Sequence, residues 1–130
     1  DRGVVLNVAS SAAFLPGPFM AAYYASKAYV LRLSQAINEE LSQKNSQVYI
    51  SVLCPGPVDT EFNSVANVRF SLKGLSSEYV ANMAVRSMLK GKKVIVPGFF
   101  MKCSHFFSKL LPDSILVKFA SHFQKKKTRG

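Results

Sequence analysis

Short apolar runs alternate along the chain with longer segments in which apolar residues recur every three or four positions. Residues 3–9 are almost continuously apolar, which is typical of a strand buried on both faces of a parallel sheet. Residues 48–54 form a second such run and residues 94–96 a shorter third one. Prolines end the last two runs, at Pro55 and Pro97, because proline cannot continue a central strand.

The first long periodic segment covers residues 21–44, after a loop over residues 10–20. We predict a helix whose buried face carries the apolar residues with helical spacing, Val30, Leu33, Ile37 and Leu41. The polar residues between them are expected in wetter positions, and these are Arg32, Asn38, Glu39 and Gln43.

The second long periodic segment follows a polar stretch without a clear period. Ser76 or Ser77 is a suitable N-cap for a helix that continues to Lys90, and Gly91 is a plausible stop. Its predicted buried face consists of Val80, Ala81, Ala84, Val85, Met88 and Leu89. The order strand, helix, strand, helix, strand predicts an α/β fold with a parallel sheet.

Residues 98–130 have a different pattern, that of two amphipathic helices and a basic end. In the first, one helical face holds Phe99, Cys103, Phe106, Phe107 and Leu110, while other faces hold Lys102, His105 and Lys109. Pro112 interrupts the pattern, and Asp113 or Ser114 can cap a second helix. That helix carries Ile115, Leu116, Phe119, Ala120 and Phe123. We therefore divide the chain into residues 1–97 and a tail, residues 98–130, which is either part of the same domain or an appendage.

The amino-acid composition and charge limit the classes of function that this chain can have. The 130 residues suit one domain, and 48% of them are apolar, so a folded core is expected. The two cysteines, Cys54 and Cys103, have no metal-type spacing with the histidines, and we expect reduced thiols and an intracellular, cytoplasmic location. The net charge of +10 fits either solubility with a basic tail or an anionic partner, namely a phosphate-bearing cofactor, a membrane surface or nucleic acid, and charge alone does not choose among them. Without a zinc-finger spacing or an RNA-binding motif, we expect no nucleic acid.

The candidate chemistry lies at Ser10, Tyr23 and Lys27. On a helix, Tyr23 and Lys27 are one turn apart on the same face. A neighbouring ammonium stabilises a phenolate, so such a pair can exchange a proton with a carbonyl or alcohol oxygen near neutral pH. Ser10 follows the first predicted strand, at the sheet edge where α/β proteins place ligands, and its hydroxyl can hold the same substrate oxygen.

In order along the chain, four motifs closely resemble the short-chain dehydrogenase/reductase family. They are the serine segment at 7–13, the Pro-Gly-Pro loop at 16–18, the Tyr-Tyr-Ala-Ser-Lys-Ala segment at 23–28 and the Pro-Gly-Pro-Val-Asp-Thr segment at 55–60. The resemblance covers residues 3 to about 97 and somewhat favours the branch of hydroxysteroid and long-chain 3-ketoacyl reductases. It implies the C-terminal half of a doubly wound, Rossmann-type parallel sheet, with the amphipathic helices as an extension.

The resemblance also implies roles for individual residues. Ser10 matches the substrate-positioning serine, with Ser11 as the candidate if the register slips by one. Tyr23 matches the catalytic acid/base, and Lys27 matches the lysine that assists it and binds the nicotinamide ribose. Tyr24 does not have the four-residue spacing to the lysine, so we interpret it as a packing residue. Asn7 matches a structural asparagine at the strand end, which we expect to satisfy backbone groups.

Four further positions match the family's cofactor-binding segment, so they are expected to contact the nicotinamide. Pro55 and Gly56 match the turn beside the ring, Val58 the backbone position that meets the carboxamide, and Thr60 the hydroxyl that helps to hold it. The implied cofactor is NAD or NADP, with a preference for NADP. No glycine-rich dinucleotide loop occurs in the sequence, so we expect the chain to begin within the fold and these residues alone to bind a dinucleotide poorly.

The implied function is interconversion of a carbonyl and a secondary alcohol on a small molecule. The apolar residues Phe62, Phe70, Leu72, Phe99 and Phe100 suggest a ketosteroid or 3-ketoacyl substrate, although ordinary core or dimer contacts explain them equally well. Family members commonly form homodimers or homotetramers. The basic tail suggests peripheral contact with a membrane. The alternative is a non-catalytic family member that serves as a membrane-surface or protein-binding scaffold.

Overall fold

The computed structural model describes residues 1–61 and 73–128, with side chains described up to residue 124. Ten elements follow one another in these ranges. They are β1 (Arg2–Val8), a 3-10 helix (Ser11–Phe14), α1 (Ala21–Gln43), β2 (Gln47–Leu53), β3 (Val58–Asp59), β4 (Leu75–Ser76), α2 (Ser77–Leu89), β5 (Val94–Ile95), α3 (Phe99–Ser108) and α4 (Asp113–Thr128).

The main sheet has three parallel strands in the order β1-β2-β5. The pairing runs in register from Arg2 opposite Gln47 to Val8 opposite Leu53. This arrangement confirms the predicted α/β fold. Within the described residues β1 lies at the sheet edge, and Val5 and Val8 are 49% and 58% exposed. The prediction that this strand is buried on both faces is therefore wrong for these two side chains.

The two long helices cover opposite faces of the sheet. Leu31 of α1 packs in a cluster with Val52 and Cys54 of the β2 segment. Val80 and Ala84 of α2 pack in a second cluster with Leu53. Since successive side chains of a strand point to opposite faces, these clusters lie on either side of β2. Helices on both faces of a parallel sheet are the doubly wound arrangement that the sequence predicts.

The apolar stripes that face the sheet are shifted from the predicted ones. In α1 the buried residues are Leu31, Ser34 and Asn38, while Leu33 is 42% exposed. In α2 the prediction is correct for Val80 and Ala84, but Ala81, Val85 and Leu89 are exposed. The spacing of apolar residues does not predict the buried faces correctly here, because small and polar side chains occupy part of each buried stripe.

Buried polar side chains attach α1 to the sheet. Asn38 is 6% exposed, so its predicted wet position is wrong. Its amide donates to the Ile50 carbonyl (2.7 Å) and accepts from the Ile50 N–H (2.8 Å). Asn7 of β1 donates to the Ser34 hydroxyl (2.9 Å), not to a backbone group as expected. Together these bonds fix the helix along both β1 and β2.

The segment after β2 is more structured than predicted. Val58–Asp59 and Leu75–Ser76 form a short parallel pair, β3 with β4. Two-residue strands are too short to leave a periodic pattern in the sequence. The predicted N-cap of α2 is confirmed at Ser76, whose hydroxyl accepts from the Tyr79 N–H. Phe62, Phe70 and Leu72, three of the proposed substrate contacts, lie outside the described residues.

The tail forms the two predicted helices, separated at Pro112. Its aromatic side chains are mostly exposed, and Phe99 is 83% exposed. The side of α3 that meets the rest of the protein instead includes His105, whose ring stacks on Phe14 at 4.0 Å between centroids. None of the helices in the described ranges is long and apolar enough to cross a bilayer. The division at residue 97 remains a prediction.

Replacing Asn38 tests whether its amide anchors α1 to β2. We expect Asn38→Leu to lower the free energy of unfolding by about 2–4 kcal/mol, because it leaves the N–H and carbonyl of Ile50 buried without these partners. Urea unfolding measures the change. The matched control is Gln35→Leu on the exposed side of the same helix, which should stay within about 0.5 kcal/mol of the wild type. Equal losses in both variants would contradict the anchoring role.

Candidate active site

The candidate site forms where the carboxyl ends of β1 and β2 meet. Beyond the strands the pairing continues through two backbone hydrogen bonds, from Ala9 N–H to the Leu53 carbonyl and from Ser11 N–H to the Pro55 carbonyl, both 2.8 Å. These bonds bring Ser10 beside the turn that starts at Pro55. The serine motif and the proline-glycine motif, far apart in sequence, are thus neighbours at one edge of the sheet.

Ser10 caps the 3-10 helix at the end of β1. Its Oγ accepts a hydrogen bond from the Ala12 N–H at 3.1 Å. A hydroxyl that accepts in this way keeps its proton for donation to another oxygen. The cap therefore orients the side chain and leaves it able to bond a substrate carbonyl.

Tyr23 and Lys27 are both half-buried in the first two turns of α1. The Lys27 Nζ lies 5.7 Å from the centroid of the Tyr23 ring, within the range of a cation–π contact. Tyr23 is the third residue of α1, and the N-terminus of a helix favours nearby negative charge. The Lys27 ammonium and the helix terminus therefore both contribute positive electrostatic potential near this tyrosine.

A cavity of about 480 Å³ lies over these residues. All seven residues that the sequence assigns to the site line it, namely Ser10, Tyr23, Lys27, Pro55, Gly56, Val58 and Thr60. The structure thus places the predicted residues around one space. Their individual roles remain a proposal.

Tyr24 packs as predicted, but it also has a polar partner that the sequence did not reveal. Its ring lies against Gly17, where an added Cβ would be 2.2 Å from the ring. Its hydroxyl accepts a hydrogen bond (2.7 Å) from Gln124 of α4, which is 3% exposed. Burial raises the pKa of Tyr24 above its usual value, and the bond from Gln124 offsets this only in part. Tyr24 therefore stays protonated and is a poor base.

Helix α3 closes another side of the cavity. The Met101 side chain lies against Gly56, since a Cβ added at Gly56 would be 2.8 Å from it. Burial lowers the pKa of His105, and the charges of Lys109 and Arg32 lower it further. His105 is therefore mainly a neutral packing residue near pH 7, consistent with its stacking on Phe14.

Cys54 lies beside the site but is unsuited to nucleophilic catalysis. It is fully buried, and burial raises its pKa to about 11, against a smaller opposing effect of the hydrogen bond from the Ser10 backbone. The thiolate is the reactive form of cysteine. Near pH 7 Cys54 is therefore an inert thiol that packs between the sheet and α1.

The sequence profile described as short chain dehydrogenase matches residues 1–69, more than half of the chain. The chain belongs to the short-chain dehydrogenase family. It is 38% identical over 73 residues (56% of this chain) to 17-beta-hydroxysteroid dehydrogenase type 3 of Homo sapiens. It is 33% identical over 65 residues (50% of this chain) to very-long-chain 3-oxoacyl-CoA reductase of Mus musculus. The family prediction and its favoured branch are thus confirmed.

A solved structure supports the same fold. The short chain dehydrogenase from Burkholderia cenocepacia J2315, in complex with NADP, superposes with a TM-score of 0.65 at 25% identity. The match covers 78% of this chain and 40% of that structure. The chain spans 23% and 20% of the length of the two relatives named above. It therefore corresponds to part of a short-chain dehydrogenase.

The family motifs identify only part of the cavity wall. Further lining comes from residues that carry no family motif, which are Phe14, Leu15, Met20, Phe100, Met101, Ser104, Phe119, Phe123 and Gln124. One sequence signal could have revealed Gln124. It follows Leu116 and Ala120 at four-residue intervals, and both of these are buried, so a polar residue interrupts an apolar stripe and requires a partner.

The bond between Tyr24 and Gln124 should hold α4 against the cavity. We expect Tyr24→Phe and Gln124→Leu each to lower the free energy of unfolding by about 1–2 kcal/mol. Because each removes the same bond, the double variant should lose less than the two single losses added together. Urea unfolding gives these values, and amide exchange should accelerate in α4.

Tyr29→Phe is the matched control for this cycle, because Tyr29 lies on the same helix and is 65% exposed. It should behave like the wild type. Strictly additive losses from the two single variants would show that Tyr24 and Gln124 do not stabilise each other.

Proposed function

We propose that the complete protein is an NAD(P)-dependent oxidoreductase that interconverts a carbonyl and a secondary alcohol. The observation that carries this proposal is the convergence of Ser10, Tyr23 and Lys27 on one cavity at the carboxyl ends of the strands. A proton donor, a hydroxyl that can hold a substrate oxygen and a fixed positive charge there match the needs of carbonyl reduction.

In the reductive direction Tyr23 donates a proton to the carbonyl oxygen of the substrate. Ser10 donates a hydrogen bond to the same oxygen and so orients it. Lys27 supplies positive charge beside the tyrosine throughout, with its Nζ 5.7 Å from the ring centroid. In the oxidative direction the phenolate accepts the alcohol proton. Tyr24 is a poor base for this step, because burial raises its pKa.

The lining fits the nicotinamide end of the cofactor. Lys27 would bond the ribose, the Thr60 hydroxyl and the Val58 backbone would hold the carboxamide, and Pro55 and Gly56 would form the adjacent turn. All five line the same cavity as Tyr23. The bound cofactor supplies or accepts the hydride. We favour NADP over NAD because the short chain dehydrogenase from Burkholderia cenocepacia J2315, one of the similar solved structures, is a complex with NADP.

The proposed substrate is largely apolar, of the ketosteroid or 3-ketoacyl type. Three phenylalanines of the tail line the cavity, Phe100, Phe119 and Phe123, together with Leu15 and Met20. Apolar walls with a few convergent polar groups are typical of sites for apolar ligands. The names of the two relatives, a hydroxysteroid dehydrogenase and a 3-oxoacyl-CoA reductase, agree with this substrate class. Of the two phenylalanines that the sequence suggested in the tail, Phe100 lines the cavity whereas Phe99 is 83% exposed.

Removing the Tyr23 hydroxyl tests this proposal. In the complete protein we expect Tyr23→Phe to reduce kcat by at least about 10²-fold, because proton transfer then lacks its donor. Cofactor affinity, measured by nicotinamide fluorescence, should change little since the ring is retained.

Tyr29→Phe, an exposed tyrosine on the same helix, is the control and should keep full activity. Near-normal turnover of the Tyr23→Phe variant would refute the assignment of the acid/base.

A further inference from the structure

The tail carries a large exposed aromatic surface, which we call the aromatic face. It is formed by α3 and α4, and the exposed fractions of its side chains run from 44% to 83%. Its members are Phe99, Phe100, Phe106, Phe107, Phe119 and Phe123. Two pairs within it are in ring contact, Phe106 with Phe107 at 5.8 Å and Phe119 with Phe123 at 4.7 Å between centroids. An apolar surface of this extent on a folded protein marks a site of interaction.

Positive charge accompanies this face. Lys102, Lys109 and Lys118 are exposed on the same two helices. In sequence, residues 98–130 contain seven of the 17 Lys and Arg residues and one of the seven Asp and Glu residues. They therefore contribute six of the ten net positive charges. Exposed aromatics with many lysines and few acids are the combination that binds anionic lipid surfaces.

The cavity opens onto the aromatic face. Phe100, Phe119 and Phe123 line the cavity and are also 62%, 56% and 44% exposed. A side chain that does both lies at the rim. Because Phe100 belongs to α3 and the other two belong to α4, the exposed aromatics of both helices meet at this rim. If the aromatic face contacted a lipid phase, an apolar molecule could pass from that phase into the cavity without first entering water.

We propose that the aromatic face binds an anionic lipid surface and that the cavity takes up its apolar substrate directly from the lipid. The second part rests on the proposed oxidoreductase function, whereas the first does not. The phenylalanines enter the boundary between head groups and acyl chains, and the lysines pair with lipid phosphates and carboxylates. Substrate transfer then avoids exposing a large apolar molecule to water.

Vesicle flotation of the complete protein tests the binding. The wild type should float with vesicles of phosphatidylcholine and phosphatidylserine, and more weakly with phosphatidylcholine alone. Added salt should weaken the binding, because it screens the lysines. The triple variant Phe99→Ser, Phe106→Ser and Phe107→Ser should bind at least about tenfold more weakly, since it loses three inserting side chains. None of these three residues lines the cavity.

A matched control places the same substitutions on α2. Tyr79, Val85 and Leu89 are 53%, 46% and 69% exposed there, and their triple serine variant should bind vesicles like the wild type. Equal loss in both triple variants, or no flotation of the wild type, would overturn the proposal. A third outcome would also overturn the proposal: the wild type is a dimer, the phenylalanine variant is a monomer, and the two bind vesicles equally. The aromatic face would then be covered by a second copy of the chain.

Measurements of turnover distinguish failure of the lipid-uptake proposal from failure of the proposed oxidoreductase function. Both triple variants should reduce a short, water-soluble ketone at the wild-type rate. With an apolar ketone dissolved in vesicles, the phenylalanine variant should show a KM raised at least about tenfold with kcat unchanged. An unchanged KM would refute uptake from the lipid. Absence of turnover with every ketone, alongside normal flotation, would refute the oxidoreductase proposal and leave lipid binding standing.

Discussion

The parallel pairing of β1 with β2 is the interaction on which the candidate site depends. Its register is continued past the strands by the bonds from Ala9 to Leu53 and from Ser11 to Pro55. A shift of one residue would turn Ser10 to the other face of the sheet, because side chains alternate along a strand. The same pairing sets the position of the turn at residues 55–57, which lines the same cavity as Ser10.

The helix that carries Tyr23 and Lys27 is held to this sheet by polar as well as apolar contacts. Asn7 bonds Ser34, and Asn38 bonds both backbone groups of Ile50. Directional bonds at two levels of α1 fix its rotation about its own axis, which apolar packing alone specifies less strictly. The rotation matters because it decides which of two adjacent tyrosines faces Lys27, the position that we propose for the acid/base. Tyr24, one residue on, is instead enclosed by Gly17 and Gln124.

The placement of the candidate site residues could largely be predicted from sequence because it depends on local spacing. The four-residue interval from Tyr23 to Lys27 places them on one helix face, and the strand before Ser10 brings that serine to the ligand edge of the sheet. Less of the packing could be predicted. Leu33 was expected inside and is 42% exposed, whereas Asn38 was expected outside and is buried, because tertiary hydrogen bonds decided these positions and hydropathy did not. Gln124 joins the site from 100 residues beyond Tyr24, and such a contact leaves no local pattern.

The central claim is that the cavity over Ser10, Tyr23 and Lys27 reduces a carbonyl with a nicotinamide cofactor. The most direct measurement follows deuterium transfer by the complete protein. The protein is given an apolar ketone and a reduced nicotinamide cofactor that carries deuterium at C4, on the face from which the hydride leaves. The account predicts an alcohol with one deuterium on the carbon that bore the oxygen, with the hydroxyl proton taken from solvent by way of Tyr23. Both C4 faces should be labelled in separate reactions, so that one of them transfers deuterium. Absence of deuterium from the product with either cofactor would contradict the account.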